Sequence, residues 1–91
     1  MSEPVIDLPP MGQPAKRSVT IDGHRTSVSL EDAFWRELRD LARARDISPA
    51  GLIAAIDHAR PPDVGLATAL RLFVLAEVKS GGALAADARG A

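Results

Sequence analysis

Arg25-Thr-Ser-Val-Ser-Leu-Glu-Asp-Ala-Phe34 is the stretch on which the fold turns. Thr26, Val28 and Leu30 alternate with Arg25, Ser27 and Ser29. A period of two belongs to a strand with one apolar face and one short polar face. After Leu30 the period changes. Phe34, Leu38, Leu41 and Ala42 recur at i, i+4, i+7 and i+8, one stripe of an amphipathic helix. The strand therefore runs straight into a helix, with no loop between them.

Upstream, Arg17-Ser-Val-Thr-Ile21 alternates as well, and Asp22-Gly23 separates it from the strand just described. Asp-Gly between two alternating runs is a strong hairpin signal and specifies a type I′ turn. A two-residue turn pairs Ile21 with His24, Val19 with Thr26 and Arg17 with Val28. Val19, Ile21, Thr26 and Val28 then share one face, and Ser18, Thr20, Arg25, Ser27 and Ser29 the other. Both strands agree on which face is apolar.

Downstream, the first helix is expected from about Glu31 to Arg45, with acids at its start and arginines at its end, as the helix dipole favours. Arg45-Asp46-Ile47 is a tight connection. Ser48-Pro49 reads as an N-cap followed by proline at the first helical position. The second helix covers Pro49 to about His58, with Leu52, Ile53 and Ile56 on one face, and Arg60-Pro61-Pro62 stops it. Asp63 is placed to cap a third helix from Val64 to about Lys79. That helix is apolar nearly all round, through Leu66, Leu70, Leu72, Phe73, Val74, Leu75 and Val78. Such a helix needs burial on several sides, and an identical subunit is the simplest source of it.

Ninety-one residues make at most one domain. Residues 1–15 contain Pro4, Pro9, Pro10 and Pro14, show no periodicity and read as a disordered arm. Residues 16–79 are the expected domain, and residues 80–91, Gly- and Ala-rich, a disordered tail. A domain of this size buries only ~60% of its surface on its own. There is no cysteine, hence no disulfide framework, and the two histidines, His24 and His58, lie in different elements, so no metal site is expected. No signal peptide is visible and no run approaches the ~20 apolar residues of a membrane span, so the expected compartment is the cytoplasm. The net charge is −1. Between Lys16 and Arg45, however, seven Lys and Arg residues (16, 17, 25, 36, 39, 43, 45) face six acids (22, 31, 32, 37, 40, 46).

No catalytic constellation emerges, and neither an enzymatic activity nor a cofactor nor a small-molecule substrate is expected. Glu31, Asp32, Glu37 and Asp40 occupy capping or i,i+4 positions on a solvated helix face. Ser27 lacks a His/Asp partner at a known spacing. Trp35, one step beside the apolar stripe, belongs to the core or a dimer contact. His24 reads as a surface residue and His58 as a cation at a helix C-terminus.

Lys16-Arg-Ser-Val-Thr-Ile-Asp-Gly-His-Arg-Thr-Ser-Val-Ser-Leu-Glu-Asp-Ala-Phe-Trp35, with Ser48-Pro-Ala-Gly-Leu-Ile53 and Ala69-Leu-Arg-Leu-Phe-Val74, resembles the ribbon-helix-helix family, and within it a group of short bacterial proteins. The resemblance spans residues 16–79 and implies an α+β fold, an N-terminal β-hairpin followed by three helices, in an intertwined homodimer. It implies a dimer core drawn from Val28, Leu30, Phe34, Leu70 and Phe73. It also implies a transcriptional regulator that inserts a β-ribbon in the major groove of double-stranded DNA. Arg25, Ser27 and Ser29 would then read base edges, Arg25 by a bidentate bond to guanine, and Ser48 at the start of the second helix would hold a phosphate.

Two features depart from the family's plan. The recognition strand is preceded by its own hairpin partner, so joining two hairpins edge to edge gives four strands. Their three spacings of roughly 4.8 Å each exceed the ~12 Å groove. The chain is also nearly neutral. Both features suit an alternative, a protein-interaction module that adds a partner's strand to the unpaired edge at residues 17–21.

Overall fold

The computed structural model describes residues 3–81. Its order is β1 (Ala15–Ile21), β2 (His24–Leu30), α1 (Asp32–Ala44), α2 (Pro49–Ala59) and α3 (Leu66–Lys79). Residues 3–14 are exposed and carry no helix or strand, so regular structure begins one residue ahead of the expected domain boundary. Ser80 and Gly81 form a turn, and the rest of the expected tail, residues 82–91, lies outside the described residues.

The hairpin has the expected register, with Arg17 opposite Val28, Val19 opposite Thr26 and Ile21 opposite His24, extended to Ala15 opposite Leu30. Asp22 and Gly23 have φ of 53° and 78°, the two left-handed residues of a type I′ turn. Val19, Ile21, Val28 and Leu30 are buried against the helices, whereas Thr26, at the same inner parity, stays exposed. β1 lies over α2 and β2 over α3, with α1 packed against both other helices. Leu30, Leu38, Ile53 and Leu70 form the fully buried centre, joined by Leu41, Ala42, Leu52 and Val74. Truncating such a residue to alanine costs about 2–5 kcal/mol, a large part of the stability of so small a domain.

α1 ends in a Schellman motif. Ile47 N–H donates to the Ala42 carbonyl and Asp46 N–H to that of Arg43, both at 3.0 Å, and Asp46 takes φ 59° between them. α2 starts as expected, with the Ser48 hydroxyl accepting from Gly51 N–H at 2.9 Å and Pro49 in the first turn. α3 starts two residues later than expected, at Leu66 behind an N-cap at Gly65, and the Asp63 side chain does not cap it. The Val64 N–H donates to the Pro61 carbonyl at 3.0 Å, and Arg60 Nη1 donates to the Val64 carbonyl at 2.6 Å. Those two bonds commit residues 61–64 to a turn before a helix can begin.

Leu70 is wholly buried inside the single chain, as are Val28 and Leu30. Phe34 and Phe73 pack against the edge of that core. The apolar surface of α3 that no residue of its own chain covers is instead Leu72, Leu75 and Val78, each exposed by half or more (58%, 52% and 52%), with Ile47 nearby at 43%.

Candidate nucleic-acid interface

The alternation of the two strands puts Lys16, Ser18 and Thr20 of β1 beside Arg25, Ser27 and Ser29 of β2 on the solvent face of the hairpin. All six are exposed. Their cross-strand pairs are Lys16 with Ser29, Ser18 with Ser27 and Thr20 with Arg25. The side chains between the two cations are short and hydroxylated. Lys16, Ser18, Arg25, Thr26 and Ser27 line one open hollow on this surface. A face of short donors and acceptors bounded by a lysine and an arginine can approach base edges closely and meet phosphate at its ends.

Ion pairs take up cations and acids together. Arg17 is joined to Asp32, Arg71 to Glu31 at 2.9 Å and Arg45 to Glu77 at 2.9 Å. Asp22 accepts from His58 at 2.8 Å, and Arg43 meets Asp40 only loosely at 3.6 Å. Among the described residues, the cations Lys16, Arg25, Arg36, Arg39 and Lys79 make no ion pair, nor do the acids Glu3, Asp7, Glu37, Asp46 and Asp63. Two of these cations lie on the outer hairpin face, two on the exposed side of α1 and one at the end of α3.

The start of α2 forms a second polar surface. Ser48 and Pro49 line a hollow together with Arg39, Arg43, Asp46 and Ile47. The Schellman turn folds the chain back so that α1's arginines stand beside the amide end of α2. The Ser48 oxygen already accepts from Gly51, so toward an anion its hydroxyl has a donor to offer. Sequence reasoning missed Arg39 and Arg43 as members of this group. Their i,i+4 spacing opposite Leu38, Leu41 and Ala42 was the available signal, but the turn that brings them to Ser48 rests on a left-handed aspartate.

Lys16 was also missed, although it shares parity with Ser18 and Thr20. The Asp22–His58 link lies at the hairpin tip, tying the turn to the end of α2. The hydrogen bond to Asp22, then its negative charge, raises the His58 imidazole above its ordinary value. The Glu31 carboxyl lies below the usual range, held there first by a backbone amide and then by Arg71.

No group of three His, Cys, Asp or Glu among the described residues could hold a metal ion, and no described helix is long and apolar enough to cross a membrane. On the helical side, an apolar groove of about 700 Å³ runs between α2 and α3. Ile47, Leu52, Ile56, Leu72 and Phe73 line it, with Arg45 and Arg60 at its rim.

A family model described as ribbon-helix-helix domain matches residues 14–78. No curated protein and no solved structure matches the chain significantly.

Proposed function

The chain belongs to the ribbon-helix-helix domain family, and we propose that it is a sequence-specific DNA-binding protein, a homodimeric transcriptional regulator that sets a β-ribbon in the major groove. The observation that carries this reading is the outer hairpin face. Arg25, Ser27 and Ser29 project together to solvent, and Arg25 makes no ion pair among the described residues. In this reading Arg25 takes guanine O6 and N7, and the two serines read neighbouring bases. Ser48, with Arg39 and Arg43 beside it, holds a backbone phosphate. The homodimer is supported by the apolar groove and by Leu72, Leu75 and Val78, which a second copy would cover.

The test is selection of bound duplexes from a random pool, followed by variants on the recovered sequence. Arg25→Ala is expected to relax discrimination at one base pair by ~1–3 kcal/mol, and Arg43→Ala to weaken all duplexes alike and lower the salt slope by about 1. If both variants bind as the wild type does, the site assignment fails.

The apolar groove also favours a second reading, a protein-interaction module in which it receives another protein's helix. That reading predicts no retardation of duplex DNA even at low salt.

A further inference from the structure

Two apolar surfaces of the chain lie open. One is the groove of about 700 Å³ between α2 and α3, with Leu52, Ile56, Leu72 and Phe73 in its wall. The other is the arm ahead of β1. Its Val5, Ile6, Leu8 and Met11 are 93%, 70%, 69% and 70% exposed. Apolar surface gathered in this way marks a place of association.

The chemistry of the arm matches that of the groove. Residues 3–10 read Glu-Pro-Val-Ile-Asp-Leu-Pro-Pro. The prolines hold their own φ near −65°, and Glu3 and Leu8, each before a proline, are turned away from the helical region. The arm is therefore extended before it meets anything, and ordering it costs little. In an extended segment Ile6 and Leu8 point to one side, and Val5 and Asp7 to the other. Among the described residues no acid lines the groove, while Arg45 and Arg60 stand at its rim. Arg45 gives Nη2 to Glu77, and Arg60 gives Nε to Asp57 and Nη1 to the Val64 carbonyl. Each guanidinium has five N–H donors, so each keeps some for a further carboxylate. The arm brings two, Glu3 and Asp7, neither of them in an ion pair among the described residues.

Within one chain the arm does not enter the groove, since its apolar side chains stay exposed. A second copy supplies both the missing arm and the missing groove. The groove is lined by residues between Arg45 and Phe73 and by none of the hairpin. Filling it thus leaves the free edge of β2 open for strand pairing between the copies. The groove follows α2 from end to end, ~16 Å for its 11 residues. The six residues between Leu8 and Ala15 span up to ~20 Å, enough to carry the segment onto a neighbouring subunit.

We propose that in the homodimer each copy's arm lies across the α2–α3 groove of the other, with Ile6 and Leu8 inserted beside Leu52 and Ile56 and Asp7 at the arginine rim. The step rests on the homodimer of the proposed function and is independent of its DNA binding. The arm then acts as a clamp added to the strand and helix contacts of the dimer.

Sedimentation equilibrium of the full chain tests this with the double variant Ile6→Asp, Leu8→Asp. Both positions are exposed, so the variant should keep the wild-type circular dichroism, and its dimer dissociation constant should rise about tenfold or more. A dissociation constant equal to that of the wild type would overturn the clamp and leave the homodimer standing. Wild-type protein that is monomeric at every concentration would overturn both. Because the chain has no cysteine, a disulfide reports the geometry directly. Leu8→Cys protein mixed with Ala55→Cys protein, whose new thiol lies in the groove, should oxidise to a mixed disulfide between two copies. Failure to form it would overturn the proposal. So would a chain carrying both substitutions that closes its disulfide within itself, because the arm would then sit in its own groove.

Discussion

Each of the chain's three aromatic residues carries an arginine. Arg17 lies over Trp35 at 5.0 Å from the ring centroid, Arg45 over Phe73 at 5.4 Å and Arg71 over Phe34 at 5.9 Å. Each guanidinium also meets a carboxylate: Asp32, Glu77 and Glu31 respectively. A flat, delocalised cation can stack on a ring and fork to an acid at once, which an ammonium cannot. Arg17 is the most enclosed of the three, only 20% exposed, because its parity points it inward beside Val28 and Val19. Arg17→Lys should therefore lower stability by roughly 1 kcal/mol despite conserving charge, measured as a fall in the urea midpoint at unchanged slope. At the hairpin tip the relevant variable is pH. The His58 value is raised by Asp22, so the link contributes fully below the unfolded value of about 6.5 and is lost as pH rises through the folded value. Asp22→Asn keeps a residue that tolerates the left-handed turn. Its unfolding midpoint should lie furthest below the wild type near pH 5.5 and converge with it in the alkaline range. A constant offset would assign the effect to the turn alone.

At the scale of elements, two junctions explain what the sequence made legible and what it did not. The hairpin was readable because its information is local: two alternating runs and an Asp-Gly turn fix register without any tertiary contact. The solvent face and its Arg25, Ser27 and Ser29 follow from the same alternation. The α1 end was only half readable, since the left-handed position that glycine usually marks is occupied by Asp46. Asp46→Gly should consequently stabilise the fold by up to about 1 kcal/mol in chemical denaturation, by removing a side chain from a position that disfavours one. The late start of α3 was not readable. It depends on Arg60, which bonds Asp57 at 2.8 Å and the Val64 carbonyl at 2.6 Å, and nothing in the Arg60-Pro-Pro wording indicates that reach. Arg60→Ala should free residues 61–65, detected as faster amide exchange at Val64 while the amides of Ile53 and Leu52 stay protected.

For the whole molecule, the net charge is −1, and the ion pairs take up acids and cations together, leaving Lys16 and Arg25 on the outer hairpin face without an acid on that face. In the proposed DNA-binding reading, long-range attraction to DNA would be weak at this net charge, and binding would depend on contacts made at close range. Apart from the N-terminal arm, the exposed large apolar residues lie on α3 and in the α1–α2 connection, away from the outer hairpin face. Leu72→Asp, at a position 58% exposed, should fold and yet sediment as a monomer at micromolar concentration, where the wild type is expected to sediment as a dimer. Leu70→Asp, by contrast, buries an unpaired charge at the centre of the core and should not fold. The claim that the outer hairpin face binds DNA is tested most directly by the affinity of the full chain for its selected duplex as salt rises from ~50 to ~200 mM, with and without Arg25→Ala. The account predicts a steep, log-linear fall for the wild type and, for the variant, a preference relaxed at one base pair. Binding that is absent at the lowest salt, or that neither salt nor Arg25→Ala changes, would contradict it.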